Sequence, residues 1–130
     1  MCPPTSLEQI KDWVADRGKI AFVSGKFNVI HPGHLRLLRF AREISDCLVV
    51  GIYPDGYVDG LFLSEKDRLE GIQSNNWVDA AFILEESPET AISVLRPDVV
   101  VKGKEYEFGD NPETEAVKQY GGIVRFVSGD

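Results

Sequence analysis

The sequence predicts an α/β fold in which helices cover both faces of a five-stranded parallel sheet. Five short runs of apolar, mostly β-branched residues alternate along the chain with segments of helical periodicity, as in parallel strands joined by crossover helices. Most of the runs are continuously apolar, as expected for strands buried on both faces. A chain of 130 residues, 43% hydrophobic and 27% charged, suffices for one domain with its own core. We therefore expect a single Rossmann-like, doubly wound domain over residues 1–130.

The N-terminal segment predicts a helical extension over residues 1–17, followed by the first strand. Thr5 or Ser6 can cap this helix, whose apolar residues recur at helical spacing until Gly18 ends it. Lys19–Ser24 follows as the first buried strand. A single turn therefore separates the extension from the sheet.

The remaining elements follow with the same alternation of helix and strand. Pro32 suits the first turn of a helix, Ser64 begins an acid-rich first turn of capping-box type, and Gly121 breaks the last helix. The later strands are predicted at Cys47–Ile52, Ala80–Leu84, Val99–Val101 and Ile123–Val127, and the later helices near Pro32, Ser64, Ser87 and Glu113. In such folds ligands bind at the carboxyl ends of the strands, where the strand order reverses.

Charge and cysteine content exclude several classes of function. A net charge of −7 and a pI near 4.8 argue against a nucleic-acid or anionic-membrane surface, because either requires a basic patch. One modest basic cluster, Arg36, Arg39 and Arg42, suits a small anionic ligand. Cys47 lies in an apolar run and is expected to be a buried, inert thiol. Without a disulfide framework, an export signal or an apolar run of about 18–20 residues, the chain is expected in the cytoplasm.

Both histidines of the chain fall in one segment directly after the first strand. The segment reads Gly25-Lys26-Phe27-Asn28-Val29-Ile30-His31-Pro32-Gly33-His34, so a strand passes through a tight turn into a helix. The N–H donors and partial positive charge of a helix N-terminus attract phosphate. Imidazoles placed there can follow charge as it develops on an α-phosphate. The alternative is structural: one histidine packs under the loop, and the other caps a carbonyl.

This segment resembles the Gly-x-Phe-Asp-x-x-His-x-Gly-His motif of the cytidylyltransferase-like nucleotidyltransferases. Downstream, Val78-Asp79, the run from Leu95 to Gly103 and Tyr120-Gly121-Gly122 resemble the adenylyltransferase domain of ADP-heptose synthases, alongside glycerol-3-phosphate cytidylyltransferases. The resemblance covers roughly residues 18–128. It implies that a phosphate oxygen of a phosphorylated sugar or alcohol attacks the α-phosphate of ATP or CTP, and that pyrophosphate leaves with Mg²⁺. Relatives of this kind are commonly homodimers.

The resemblance also implies roles for particular residues. His31 and His34 would contact the α-phosphate and its transition state. The nucleotide would lie against Gly25, Lys26, Phe27, Asn28 and Gly33, with its base and ribose beside Lys102 and Gly103. Asp55 and Arg68 would contact the second substrate or a phosphate. The structural alternatives are a turn residue for Asp55, an ion pair with Glu65 or Asp67 for Arg68, and a solvated strand end for Lys102.

Three departures from the family pattern leave a second function open. Asn28 stands where the family has aspartate, and Asp55 to Ser64 contains two aspartates and no basic residue where relatives carry lysines or arginines. A Ser/Thr motif for the β- and γ-phosphates is expected after Gly129, so the chain is either a piece of a longer polypeptide or an incomplete site. The second function is a module that binds a nucleotide without turnover.

Two further functions are disfavoured by missing patterns. The first strand-turn lacks the Gly-x-Gly-x-x-Gly of a dinucleotide-dependent oxidoreductase. His31 and His34 have no third ligand at a recognisable spacing for a catalytic zinc ion.

Overall fold

Strands and helices alternate throughout the residues that the computed structural model describes, 6–27, 32–55, 64–104 and 111–127. The strands are β1 (Ile20–Gly25), β2 (Cys47–Ile52), β3 (Ala80–Ile83), β4 (Val99–Gly103) and β5 (Ile123–Val127). The helices are α1 (Leu7–Trp13), α2 (Pro32–Glu43), α3 (Glu65–Gln73), α4 (Pro88–Leu95) and α5 (Pro112–Lys118). The strands form one parallel sheet in the order β3-β2-β1-β4-β5, which confirms the predicted fold class. Within these ranges no helix has the length and apolarity needed to cross a membrane.

Helices cover both faces of the sheet, as the buried strands predicted. On one face Leu38 of α2 belongs to the same core cluster as Val23 of β1. On the other face Ile10 of α1 and Ile92 of α4 cluster with Phe22. Because successive side chains of a strand point to opposite faces, β1 supplies both cores, and this explains why its sequence is apolar without alternation.

The strand order reverses between β1 and β4, at the centre of the sheet. β1 pairs with β2 along its whole length, from Ile20 to Gly25. Its pairing with β4 joins Ala21 and Phe22 to Val99 and Val100 and stops there, three residues before either strand ends. Open α/β sheets bind their ligands at the carboxyl ends of the strands beside such a reversal.

The first helix is shorter than predicted, and it belongs to the core. Ser6 caps α1, which ends at Trp13 instead of continuing to Gly18. Hydrogen bonds of the i→i−3 type tighten the backbone as far as Arg17. Gly18 then completes the turn with φ +82°, in the left-handed region that favours glycine. Ile10 is fully buried, so the predicted extension helps to form one face of the domain.

Other boundaries differ from the predicted ones by one or two residues. β1 starts and ends one residue later than predicted, β3 ends one residue earlier, and α5 begins at Pro112 and ends at Lys118. β4 runs two residues further than predicted because Lys102 and Gly103 pair with Phe126 and Val127 of β5. The extension of β4 matters for function, since it places both predicted ligand residues of this strand at its carboxyl end.

Three aspartates join neighbouring strands at the opposite, amino edge of the sheet. Each accepts a hydrogen bond through Oδ2 from a backbone N–H and donates its own N–H to the carbonyl of that same residue. The pairs are Asp46 with Lys19, Asp79 with Leu48 and Asp98 with Ile20, with N–H to Oδ2 distances of 2.8 Å. These bonds satisfy backbone groups where the strand ladders begin. Asp79 and Asp98 belong to segments that carry the family resemblance, and their role here is structural.

A further segment of the resemblance also lies at the amino edge. The Tyr120 hydroxyl donates a hydrogen bond to the carbonyl oxygen of Pro97 at 2.6 Å, and burial raises the pKa of this phenol. The bond joins the connection before β5 to the connection before β4. Tyr120 therefore contributes to the packing of the sheet.

Cys47 is expected to make the protein less stable at alkaline pH. Its side chain is buried, as predicted, and desolvation, with the nearby Asp79 carboxylate, raises the thiol pKa from 9.0 to about 11. Below pH 9 the thiol is neutral in the folded and the unfolded protein, so its contribution to stability is intact. Between pH 9 and 11 the thiol ionises in the unfolded chain but stays neutral in the folded protein, which favours unfolding. Roughly 2 kcal/mol of stability should be lost over that interval.

Urea unfolding at a series of pH values measures this loss. Cys47→Ala keeps the other titrating groups, including Tyr120, and should show a correspondingly smaller decline above pH 9. Parallel declines in the two proteins would contradict the assignment.

Candidate functional site

The segment with both histidines leaves the sheet where the strand order reverses. β1 ends at Gly25 and α2 begins at Pro32, so the first turn of α2 lies at the carboxyl edge. His34 is half-buried in that first turn. Asn28 and His31 lie outside the described residues, and their predicted contacts stay predictions.

The ring of Phe27 packs against the imidazole of His34. Its φ is +51°, a left-handed conformation that is uncommon for an aromatic residue, and its ring is buried. The ring lies edge-on to the His34 imidazole, with the centroids 5.7 Å apart and an interplanar angle of 62°, a favourable geometry for aromatic pairs. A Cβ on Gly25 would lie 3.0 Å from the Phe27 ring. His34 thus packs against the loop, as the structural alternative holds, and the same contact holds its imidazole at the helix N-terminus.

The first turn of α2 differs in charge from those of the other described helices. It contains no acidic residue. The other first turns contain Glu8 in α1, Glu65 and Asp67 in α3, Glu89 in α4, and Glu113 and Glu115 in α5. Acidic side chains complement the partial positive charge of a helix N-terminus. At α2 a bound anion would supply that complement.

Two of the three clustered arginines are engaged with acidic side chains. Arg39 pairs with Glu43 at 2.7 Å on the exposed surface of α2, and Arg42 pairs with Asp79 at 3.0 Å. Each guanidinium therefore has a carboxylate beside it. That this cluster serves a small anion stays a prediction.

Arg68 lies in the interior, between the ends of β1 and β2. Its side chain is 0% exposed. Nη1 donates hydrogen bonds to the carbonyl oxygens of Lys26, at 2.9 Å, and of Tyr53, and Nη2 donates to Asp55 Oδ1 at 3.1 Å. This ion pair links α3 to the connection after β2.

Asp55 is more than a turn residue, because both its side chain and its backbone bond to residues of α3. Besides its contact with Arg68, its backbone N–H donates to Glu65 Oε1 at 3.1 Å. Its side chain is 54% exposed, so one side of the carboxylate faces the protein and the other is open to solvent. That Asp55 or Arg68 contacts a substrate or a phosphate stays a prediction.

Lys102 lies at the carboxyl end of β4 in a nearly buried ion pair. Its Nζ is 2.8 Å from Glu113 Oε2, and the two side chains are 13% and 8% exposed. The alternative of a solvated strand end is therefore wrong. Glu113 was not predicted as a site residue, although helical spacing from Ala116 and Val117 places it on the inward face of α5.

The remaining predicted residues lie at the same edge. Gly103 ends β4, Gly33 is half-buried in the first turn of α2, and Lys26 is exposed directly after β1. Among the described residues, no group of three or more His, Cys, Asp or Glu side chains is arranged to hold a metal ion. The described residues thus bring together backbone donors, one imidazole and one paired lysine around the strand-order reversal.

Sequence comparisons identify similar proteins over most of the chain. The Cytidylyltransferase-like family model matches residues 22–126. The bifunctional protein HldE of Campylobacter curvus is 35% identical over 95% of this chain and 28% of its own length. That of Pseudomonas aeruginosa (strain LESB58) is 36% identical over 91% of this chain and 26% of its own length. The chain thus spans about a quarter of the length of these curated relatives.

Solved structures share the fold. A lipopolysaccharide core biosynthesis protein from Thermoplasma volcanium has a TM-score of 0.74 and 23% identity, covering 85% of this chain and 98% of that one. Pantoate-beta-alanine ligase from Francisella tularensis has a TM-score of 0.62 and 16% identity, covering 98% and 67% respectively. At these identities the likeness concerns the fold.

Proposed function

Because this chain belongs to the cytidylyltransferase-like family, we propose that it transfers AMP, or CMP, from a nucleoside triphosphate to a phosphorylated sugar or alcohol. The observation that carries this proposal is the placement of His34. Its imidazole lies in the acid-free first turn of α2, held by Phe27, beside the reversal of strand order. An α-phosphate at this point would meet both the imidazole and the helix N-terminus.

The proposed reaction requires charge stabilisation more than covalent chemistry. A phosphate oxygen of the acceptor forms a bond to the α-phosphorus, and the bond from that phosphorus to the bridging oxygen of pyrophosphate breaks. Negative charge is distributed over the oxygens of the transferring group. His34 and the backbone N–H groups of α2 would donate hydrogen bonds to these oxygens, and His31 would share this role.

The nucleotide itself would lie across the reversal, between the β1–α2 loop and the end of β4. We assign the loop contacts to Gly25, Lys26, Phe27, Asn28 and Gly33, and the base and ribose contacts to Lys102 and Gly103. Lys102 enters this role already paired with Glu113, which restricts its side chain to one region of the strand end. We favour ATP as donor, because the downstream segments resemble the adenylyltransferase branch.

We propose that Mg²⁺ enters with the triphosphate and is bound mainly by phosphate oxygens. Magnesium sites of this kind use one or two carboxylates with substrate phosphates and water. Asp55, with its half-exposed carboxylate at the end of β2, is the described residue that fits such a contact. The bound ion would neutralise charge on the leaving pyrophosphate. We further propose a cytoplasmic homodimer.

Pyrophosphate release tests this function. The protein is incubated with ATP or CTP, Mg²⁺ and a panel of sugar 1-phosphates and polyol phosphates. We expect release with one donor and a narrow set of acceptors, and unchanged release from a Lys66→Ala control, because Lys66 is an exposed residue of α3. An enzyme without release across the whole panel would contradict the proposal.

A second function, nucleotide binding without turnover, is favoured by Asn28 and by the connection after β2, which contains no basic residue. Calorimetry separates the two functions. Measurable affinity for ATP or CTP together with no pyrophosphate release supports a binding module, and any turnover excludes it.

A further inference from the structure

One buried arginine holds the two strand ends that border the candidate site. Arg68 is the largest side chain among those that are fully buried in the described residues. A buried charge is tolerated only where hydrogen bonds and an opposite charge compensate its lost hydration. Arg68 obtains these from the carbonyl groups of Lys26 and Tyr53 and from the Asp55 carboxylate.

The two carbonyl groups occupy equivalent places in the sheet. Lys26 is the first residue after β1, and Tyr53 is the first residue after β2. The ladder between these strands ends here, with the Tyr53 N–H donating to the Gly25 carbonyl at 3.1 Å. Arg68 therefore bridges β1 and β2 immediately beyond the last backbone bond that joins them.

A short chain of contacts leads from Arg68 to His34. The Lys26 carbonyl belongs to the peptide group that connects Lys26 to Phe27, so its bond to Nη1 restrains the backbone at Phe27. The φ of +51° at Phe27 directs the ring to the edge-on contact with the imidazole. A change at Arg68 would thus be transmitted through one peptide group and one ring contact.

We propose that Arg68 is a positioning residue, which fixes the peptide groups after β1 and β2 and, through Phe27, the imidazole of His34. The consequence of this role for catalysis rests on the proposed function, whereas the effect of Arg68 on the position of His34 is independent of it. This role differs from a direct phosphate contact, because the guanidinium has no exposed surface in the protein without nucleotide. Arginine suits this role because its rigid, planar guanidinium can donate to all three acceptors at once. The ammonium group of lysine is a single point and cannot reproduce this arrangement.

Imidazole NMR of the protein without nucleotide tests the proposal directly. The chain contains two histidines, so its imidazole spectrum is simple to assign. In the native protein the His34 ring signals should be displaced by the ring current of Phe27. In Arg68→Met this displacement should fall by about half or more, and Arg68→Lys should give an intermediate value.

Asp98→Ala provides a matched control. It removes the carboxylate oxygen that accepts a hydrogen bond from the Ile20 N–H at the amino edge of the sheet, and it keeps the backbone bond from the N–H of residue 98 to the Ile20 carbonyl. The variant should lose stability and leave the His34 signals unmoved. If it moves them as far as Arg68→Met does, general loosening explains the effect and the proposal is overturned.

Asp55→Asn decides the question even if the Arg68 variants fail to fold. Under the proposal it loosens the guanidinium and reduces the displacement of the His34 signals by the Phe27 ring. If Arg68 instead serves only as a phosphate contact, Asp55→Asn should leave the His34 signals of the free protein unchanged. The latter result would overturn the positioning role, and since the signals are read without turnover, it is distinguishable from a failure of the proposed function.

Discussion

Replacement of His34 by alanine is expected to slow nucleotidyl transfer by about 100- to 10,000-fold. The imidazole would donate to oxygens of the transferring phosphate, where charge is greatest in the transition state, so the loss should appear in kcat. The KM for the nucleotide should change less, because other groups hold the base and ribose. Initial rates of pyrophosphate release over a range of ATP concentrations separate the two constants.

Phe27→Leu serves as the matched variant for this experiment. It keeps His34 but removes the ring that orients the imidazole, so we expect a smaller loss of kcat, on the order of 10-fold, since misplaced catalytic groups lose efficiency. Urea unfolding of both variants checks that the domain remains folded. An unchanged kcat in His34→Ala would refute the assigned role.

Breaking the pair between Lys102 and Glu113 is expected to be strongly destabilising. Lys102→Met leaves the Glu113 carboxylate without its 2.8 Å partner in a site where both side chains are nearly buried. Removal of one member of a buried ion pair costs about 3–5 kcal/mol, whereas replacement of both by apolar residues is often neutral. We therefore expect Lys102→Met to lower the free energy of unfolding by about 3 kcal/mol.

A double-mutant cycle tests this expectation. Glu113→Leu should cost a similar amount, and the combination Lys102→Met/Glu113→Leu should recover most of the lost stability. The combined variant should nevertheless bind ATP more weakly, because Lys102 is proposed to lie beside the nucleotide. Strictly additive losses of stability would show that the two side chains are not coupled.

The amino-acid pattern accounts for most of the fold. Runs such as Cys47–Ile52 contain no charged side chain, which favours a strand buried on both faces. The structure confirms all five strands, although Ile123 and Arg125 of the edge strand β5 are exposed. Helix starts were equally readable, because Ser6, Ser64 and Ser87 each accept a hydrogen bond from a backbone N–H three residues later. The ends of helices were harder to predict from the sequence. After α1, hydrogen bonds of the i→i−3 type replace the helical ones, and the spacing of apolar residues does not reveal this change.

The candidate site could be predicted only in part. His34 and Phe27 belong to one motif that the sequence identified, but their ring contact is known only from the structure. Asp79 and Asp98 belong to equally recognisable segments, yet they lie at the amino edge of the sheet. There they accept hydrogen bonds from backbone N–H groups at the beginnings of β2 and β1. A resemblance shows that a segment is shared, and it does not distinguish residues for folding from residues for a ligand.

The sequence by itself determined the alternation of strands and helices and the location of the candidate phosphate-binding segment, because both depend on residues close together in the chain. The tertiary structure decided the partners of the charged residues. Arg68 reaches Lys26 across 42 positions, and Lys102 reaches Glu113 across 11 positions that include a strand end. Such pairings depend on the order of strands in the sheet, which local periodicity does not encode. Only the folded chain therefore shows that a predicted phosphate ligand, Arg68, lies beneath the site and joins the strands that build it.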